Sequence, residues 1–249
     1  MTLVSRLLVL SLIATYSLTG FAAADSDSDD DSDSVQASSY AKEFGGKSIG
    51  NIQGNVGLTS DYVFRGQSQT DHQPAIQGGL DWVSPQGIYL GAWGSNVHFA
   101  EGPAALELDV YGGFDYPIAK DWLVGTGVVY YSYFRGAEGN NWAIPLKVSW
   151  KQVKAELDFS PKLGVLDGQS WYVSLGWADK VIYDITFGAA VGYSFFADTI
   201  GYANYADFRL AVSREFLTVN WELATTFVNH RQFNDVDATR VIFTASKTF

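Results

Sequence analysis

Apolar and polar residues alternate along most of the chain from residue 51 onward. The pattern is clearest near the end, where Leu217, Val219, Trp221, Leu223 and Phe227 share one parity and the residues between them are mainly polar. Successive side chains of a β-strand point to opposite faces, so this segment predicts a strand with one apolar and one polar face. After a polar loop the same alternation resumes over 240–249.

The alternation recurs in twelve segments whose connections are short and long in turn. Short connections are predicted near residues 85, 119, 151, 179 and 215, and long ones at 66–73, 100–104, 135–141, 161–169, 197–204 and 229–238. In the first segment, Ile52, Val56, Leu58, Tyr62 and Phe64 are expected on one face. Short turns on one side and loops on the other are typical of an antiparallel barrel in an outer membrane. An even strand count then places both chain ends on the side of the short turns, which is the periplasmic side.

A soluble β-sandwich or lipocalin-like barrel would also alternate. A soluble barrel turns its apolar face inward, however, and a small one cannot enclose a dozen apolar stripes. Aromatic residues make up 15% of the chain, and six tryptophans fall near predicted strand ends, where interfacial girdles lie. These tryptophans are Trp82, Trp122, Trp142, Trp150, Trp171 and Trp177. The prediction is an all-β fold, a transmembrane antiparallel β-barrel of about 12 strands with periplasmic N- and C-termini.

The N-terminal region predicts export. Arg6, the apolar run 7–18 and the alanines before Asp25 form a signal peptide over 1–24, with cleavage near Ala24. Residues 25–34 are only Asp and Ser, so 25–50 is expected to be an acidic tail and linker, leaving the barrel over 51–249. The predicted location is the bacterial outer membrane. The chain has no Cys and a net charge of −11, which exclude thiolate chemistry and disfavour nucleic-acid binding.

Two segments and one proline leave the strand pattern open. Both parities are largely apolar in 88–99 and 122–133, so their register cannot be fixed from the pattern. Pro145 interrupts the sixth predicted strand, where a closed barrel has no free edge to accommodate a missing N–H donor. We therefore expect a bulge or a break in the hydrogen-bond ladder within two residues of Pro145.

Charged side chains collect on the predicted inner face. The candidates for lining a pore are Asp61, Arg65, Asp81, Glu107, Asp109, Asp115, Lys147, Lys154, Glu156, Asp158, Asp184, Asp207, Arg209, Glu222 and Arg240. Ten acids minus five bases leave −5 inside, which favours a cation-preferring pore for small polar solutes or ions. The alternative is a structural or adhesive barrel whose lumen is closed by ion pairs, because twelve strands lie between filled barrels and open porins.

Enzymatic and metal chemistry have weaker support in the sequence. An outer-membrane lipid-modifying enzyme would need a nucleophile and a base, but Ser95 and His98 are three apart and point to opposite faces of a strand. We therefore expect no enzyme and no cofactor. His72, His98 and His230 are weak candidates for a divalent metal at the outer rim, together with the acids Asp71, Glu101, Asp235 and Asp237.

The stretch NVGLTSDYVFRGQSQTDHQPAIQGGLDW (55–82) resembles the opening of the TorF-type porin family of proteobacteria. The resemblance continues through GIYLGAWGSNVHF (87–99), ELDVYGGFDY (107–116) and the closing SKTF. It covers nearly all of the chain beyond residue 50 and implies an outer-membrane barrel that passes small solutes, with no catalytic residues. The expected partners are outer-membrane lipids, small solutes and the barrel-assembly machinery, which would bind the last strand ending at Phe249.

Overall fold

The computed structural model describes residues 50–99, 104–135, 139–164, 166–230 and 239–249. The predicted signal peptide and most of the acidic tail lie outside these residues. The strands are β1 (Asn51–Thr59), β2 (Val63–Phe64), β3 (Gln67–Ser68), β4 (Ala75–Val83), β5 (Ile88–Asn96), β6 (Leu106–Ala119), β7 (Trp122–Phe134), β8 (Asn141–Trp150), β9 (Val153–Ser160), β10 (Ser170–Ile182), β11 (Ile185–Phe196), β12 (Tyr205–Phe216), β13 (Val219–Val228) and β14 (Thr239–Thr248). Within the described ranges, no helix has the length and apolarity needed to cross a membrane.

Twelve strands, β1 and β4–β14, form a closed antiparallel barrel in which sequence neighbours pair and β1 pairs with β14. This confirms the predicted all-β class and strand number. Phe249 extends the closing seam by one residue, because its backbone N–H and C=O both bond to Gly54 at 2.9 Å. The two short strands β2 and β3 pair only with each other and stand apart from the wall.

Both ends of the barrel chain lie on the side of the short turns. Asn51 is paired with Val83, next to the turn before β5, and Thr248 is paired with Asn55. The assignment of this side to the periplasm stays a prediction. Two turns lie later than predicted, at 183–184 and 217–218, so β10 and β12 extend past the predicted ends of their strands.

The outer face is apolar along every strand for which the pattern fixed the faces. Leu58, Leu80, Leu210 and Val241 are 57–70% exposed on this face. The residues between them point inward and are mostly buried. Because burying these apolar side chains in lipid removes them from water, the outer wall matches a bilayer rather than an aqueous phase.

The ladder between β7 and β8 is broken beside Pro145. Pairing runs from Trp122↔Trp150 to Thr126↔Leu146 and resumes at Val129↔Ala143 with the same register. On the other side of β8, Pro145 is paired with Asp158 without interruption. The predicted local break is therefore confirmed. It takes the form of missing pairs without a bulge, because Pro lacks the N–H that one of the two ladders requires.

Candidate functional site in the barrel lumen

The connection from β1 to β4, residues 60–74, is called loop 1 here. It carries β2 and β3, joined by a tight turn at Arg65 and Gly66, whose φ values are 48° and 75°. The sequence predicts Tyr62 and Phe64 on the apolar outer face of the first strand. That prediction is wrong, because β1 ends at Thr59 and Tyr62 is only 2% exposed.

Loop 1 lies inside the barrel. Tyr62 packs edge-on against Trp93 of β5, and Phe64 lies 6.2 Å from the ring of Tyr131 of β7. The Gly66 carbonyl accepts a hydrogen bond of 2.6 Å from Arg240 of β14. Strands β14 and β7 are five positions apart in the closed ring, so a segment that contacts both lies within the lumen.

Arg65 anchors the tip of loop 1 to the opposite wall. Its guanidinium lies 2.9 Å from the Asp158 carboxylate on β9 and 4.2 Å from the ring centre of Tyr172 on β10. Burial of the guanidinium disfavours its charge, but Asp158 stabilises it, and the net effect raises the pKa of Arg65 above its usual value. Arg65 therefore stays charged at physiological pH.

Asp61 holds the base of loop 1 together. Its Oδ1 accepts hydrogen bonds from the hydroxyls of Ser68 (2.6 Å) and Thr70 (3.0 Å). Its Oδ2 lies 3.7 Å from Nε of Arg240 and 3.6 Å from Nδ1 of His72. Asp61 thus ties three positions of the loop to the wall strand β14, and the loop is fixed at both its base and its tip.

The structure places most of the predicted pore-lining residues on the inner face of the wall. Asp81, Glu107, Asp109, Asp115, Lys147, Lys154, Glu156, Asp158, Asp207, Arg209, Glu222 and Arg240 lie on inner-face positions of the strands. Asp61 and Arg65 lie in the lumen as part of loop 1 rather than on a strand. The prediction that Asp184 lines the lumen is wrong. Asp184 lies in the turn 183–184 with 72% of its side chain exposed, 3.3 Å from Lys180.

Ion pairs join several of these residues across neighbouring strands or within one strand. Arg209 of β12 pairs with Glu222 of β13, and both side chains are nearly fully buried. Lys154 pairs with Glu156 at 3.2 Å. Tyr hydroxyls donate to two further acids, Tyr111 to Asp81 (2.6 Å) and Tyr172 to Asp207 (3.2 Å). Ion pairs and tyrosine hydrogen bonds therefore hold many of the inner-face charges in place.

The inner face of β5–β7 carries an aromatic cluster beside its acids. Tyr89 and Trp93 of β5 and Tyr111 of β6 are at most 6% exposed, and Tyr133 of β7 packs against the same cluster. This cluster includes Tyr62 of loop 1. It explains why the registers of 88–99 and 122–133 could not be predicted, since both faces of these strands contact apolar surroundings.

The sequence-based candidates for catalysis and metal binding are not brought together. Ser95 is buried on the inner face and donates to the carbonyl of Asn96, whereas His98 is exposed beyond the end of β5. His72 faces Asp61, and His230 offers its carbonyl to Gln67. In the part of the chain that the structure describes, no three His, Asp or Glu side chains form a group able to hold a metal. Glu101, Asp235 and Asp237 lie outside that part.

A family model described as "Bacterial protein of unknown function (Gcw_chp)" matches residues 43–249, and the chain belongs to this family. Its description names no TorF-type porin, so that resemblance stays a prediction. No curated protein matches the chain. Among solved structures, the "KdgM porin" aligns with a TM-score of 0.51 at 11% identity, covering 80% of this chain and 98% of that one. A "NanC porin" structure gives 0.53 at 9% identity, covering 80% and 98%. At these identities the likeness shows a shared barrel fold.

Proposed function

We propose that this member of a bacterial family of unknown function is an outer-membrane channel for passive diffusion of small polar solutes or ions, and that loop 1 is its constriction. The observation that carries the proposal is the position of loop 1. A separate segment, held by ion pairs at its base and tip, occupies the lumen of a closed barrel with an apolar outer wall. Loop 1 is not part of the wall, so its position can set the width of the lumen.

The fold supports the same proposal. Two solved proteins of this fold are titled porins, and the present chain has a comparable length and strand arrangement. The apolar outer wall supports a location in the outer membrane. The protein would reach that membrane by export through its predicted signal peptide.

A preference for cations is the finer part of the proposal. With Asp184 removed from the inner set, nine acids minus five bases leave −4 in the lumen. A negative lumen with low-dielectric walls attracts cations and repels anions. Reversal potentials in a KCl gradient test this preference, and a potential of the sign for anion selectivity refutes it.

Liposome swelling tests the channel itself. Vesicles containing the refolded protein are expected to swell in isotonic solutions of small polar solutes faster than protein-free vesicles. Turnover of labelled phospholipid by the same preparation separates a channel from a lipid-modifying enzyme. Swelling at the protein-free rate together with phospholipid cleavage would replace the channel with an enzyme.

A further inference from the structure

Two inner-face acids of β6, Glu107 and Asp109, are almost fully buried without a basic partner among the described residues. Asp61, Glu156, Asp158 and Glu222 each lie beside a basic side chain, and Asp81 and Asp207 accept from tyrosines. Glu107 and Asp109 are 2% and 1% exposed, and none of the ion pairs among the described residues includes them. Oε2 of Glu107 and Oδ1 of Asp109 are buried without a hydrogen-bond partner, as is Oδ2 of Asp207.

The unpaired oxygens of Glu107 and Asp109 belong to side chains on the same face of the same strand. Glu107 and Asp109 are two residues apart on β6, so both side chains point into the lumen. The Tyr133 hydroxyl donates to Oε1 of Glu107 at 2.9 Å, and Tyr62 of loop 1 also interacts with the Glu107 carboxylate. Leaving two carboxylate oxygens buried and unsatisfied is unfavourable, so a cationic group is expected to complete them.

Aromatic rings surround the carboxylates. In the ladder, Asp109 stands between Trp93 of β5 and Tyr131 of β7, which share its inner face. Tyr62 of loop 1 packs on Trp93 with ring centres 5.4 Å apart. The carboxylate pair is thus bounded by aromatic side chains from two wall strands and from the loop that occupies the lumen.

The surroundings decide which cation fits. Ca²⁺ takes six to eight oxygen ligands and Mg²⁺ an octahedral set, whereas no third acid or histidine among the described residues joins these two carboxylates. An ammonium group offers three N–H donors, matches a few acceptor oxygens, and is attracted to aromatic faces. Acidic oxygens combined with Tyr and Trp rings therefore favour an organic ammonium over a divalent metal ion.

We propose that Glu107 and Asp109 form a binding site for the ammonium group of a small organic cation. The inference deepens the proposed function, since it names small amines as a class of solute that the channel takes up. Tyr62 covers the site from the lumen, so the amine enters when loop 1 leaves its docked position. Binding and loop position are then linked, because one residue of the loop forms part of the site.

Isothermal titration of the folded full-length protein in detergent micelles with propylammonium chloride, at constant ionic strength, tests the site. We expect saturable binding that Glu107→Gln with Asp109→Asn weakens at least tenfold. Asp81→Asn is the matched control, because it neutralises an inner-face acid that has a tyrosine partner and is not among the buried unpaired groups, and it should change the affinity less than twofold. Tyr131→Leu should weaken binding about fivefold, whereas Tyr131→Phe, which keeps the aromatic ring, should retain it.

Three results overturn the proposal: no binding by the parent protein, equal binding by the double variant, or tighter binding of CaCl₂ than of propylammonium. The second would mean that the two acids share a proton and need no ligand. Because titration in micelles requires no current, the outcome is independent of conduction. Amine binding without solute flux would refute the channel and support the binding site. Solute flux without amine binding would support the channel and refute the binding site.

Discussion

Removing the charge of Arg65 should release the tip of loop 1. The side chains of Arg65 and Asp158 are 15% and 11% exposed, so their ion pair of 2.9 Å is largely buried. Breaking a buried pair by removing one partner costs about 3–5 kcal/mol, because the other charge stays desolvated. Since this pair keeps some solvent contact, the lower limit of ~3 kcal/mol applies. At 1.4 kcal/mol per factor of ten, the undocked population should rise roughly 100-fold in Arg65→Met.

Thiol labelling measures this population. The chain has no Cys, so Gln67→Cys introduces a single thiol at a loop 1 position that is 2% exposed. When docking is faster than labelling, the maleimide reaction rate is proportional to the undocked fraction. We expect Arg65→Met and Asp158→Asn each to raise the rate about 100-fold. The double variant should raise it by much less than the product of the two, because both changes remove the same interaction.

Asp184→Asn in the same Gln67→Cys background is the matched control. It breaks the ion pair between Lys180, whose side chain is 48% exposed, and Asp184, whose side chain is 72% exposed. Exposed ion pairs contribute at most ~1 kcal/mol to stability. Its labelling rate should change less than fivefold. A rate in Arg65→Met within fivefold of the parent would refute the reasoning, because loop 1 would then be held by contacts other than this ion pair.

Three further predictions concern the loop and the wall. Gly66→Ala should increase thiol labelling, since the added Cβ overlaps Val228 at a φ of 75°, whereas Gly201→Ala, with a φ of 77° and open space around it, should leave labelling unchanged. Arg209→Met should lower the free energy of unfolding in urea by about 3–5 kcal/mol, because it leaves the Glu222 charge buried and unpaired. Arg209→Met with Glu222→Met should recover most of this loss, and equal losses in the single and double variants would contradict the prediction. Leu210→Arg, at the centre of β12 on the outer face, should cost ~2–4 kcal/mol in lipid vesicles, and an unchanged unfolding midpoint would argue against a lipid-facing wall.

The wall of the barrel could be predicted from the sequence because lipid and lumen impose opposite demands. Outer positions such as Leu80 and Leu210 had to be apolar, and inner positions such as Asp81 and Arg209 were free to be charged. That contrast gave the strand number and the faces of most strands. It was absent only in β5 and β7, where the inner face packs on aromatic side chains.

Loop 1 could not be predicted because its residues continue the alternation of β1. Tyr62 and Phe64 keep the apolar parity of Leu58, and a period of two does not distinguish a lipid contact from a contact inside the lumen. Loop 1 is distinguished from the wall by its tertiary contacts, chiefly those of Asp61 with β14 and of Arg65 with β9. Such contacts leave no local signal in the sequence.

The displaced turns have a different cause. Tyr183, Asp184, Leu217 and Thr218 adopt positive φ values of 47–61°, although turns of this kind usually contain Gly or Asn. Strand pairing on both sides requires the tight connection, and it overrides the preference of the individual residues. Asp184 was therefore predicted on the inner face of a strand, although it lies in the turn between β10 and β11.

Single-channel conductance with and without loop 1 tests the central claim most directly. Residues 61–73 are replaced by Asn-Gly, which joins β1 to β4 by a short turn, and both proteins are inserted into planar bilayers in KCl. The account predicts small or intermittent currents for the parent and larger, steady currents for the shortened protein, with cation selectivity in both. Two correctly folded, inserted proteins that carry no current would show a closed barrel and contradict the proposed channel.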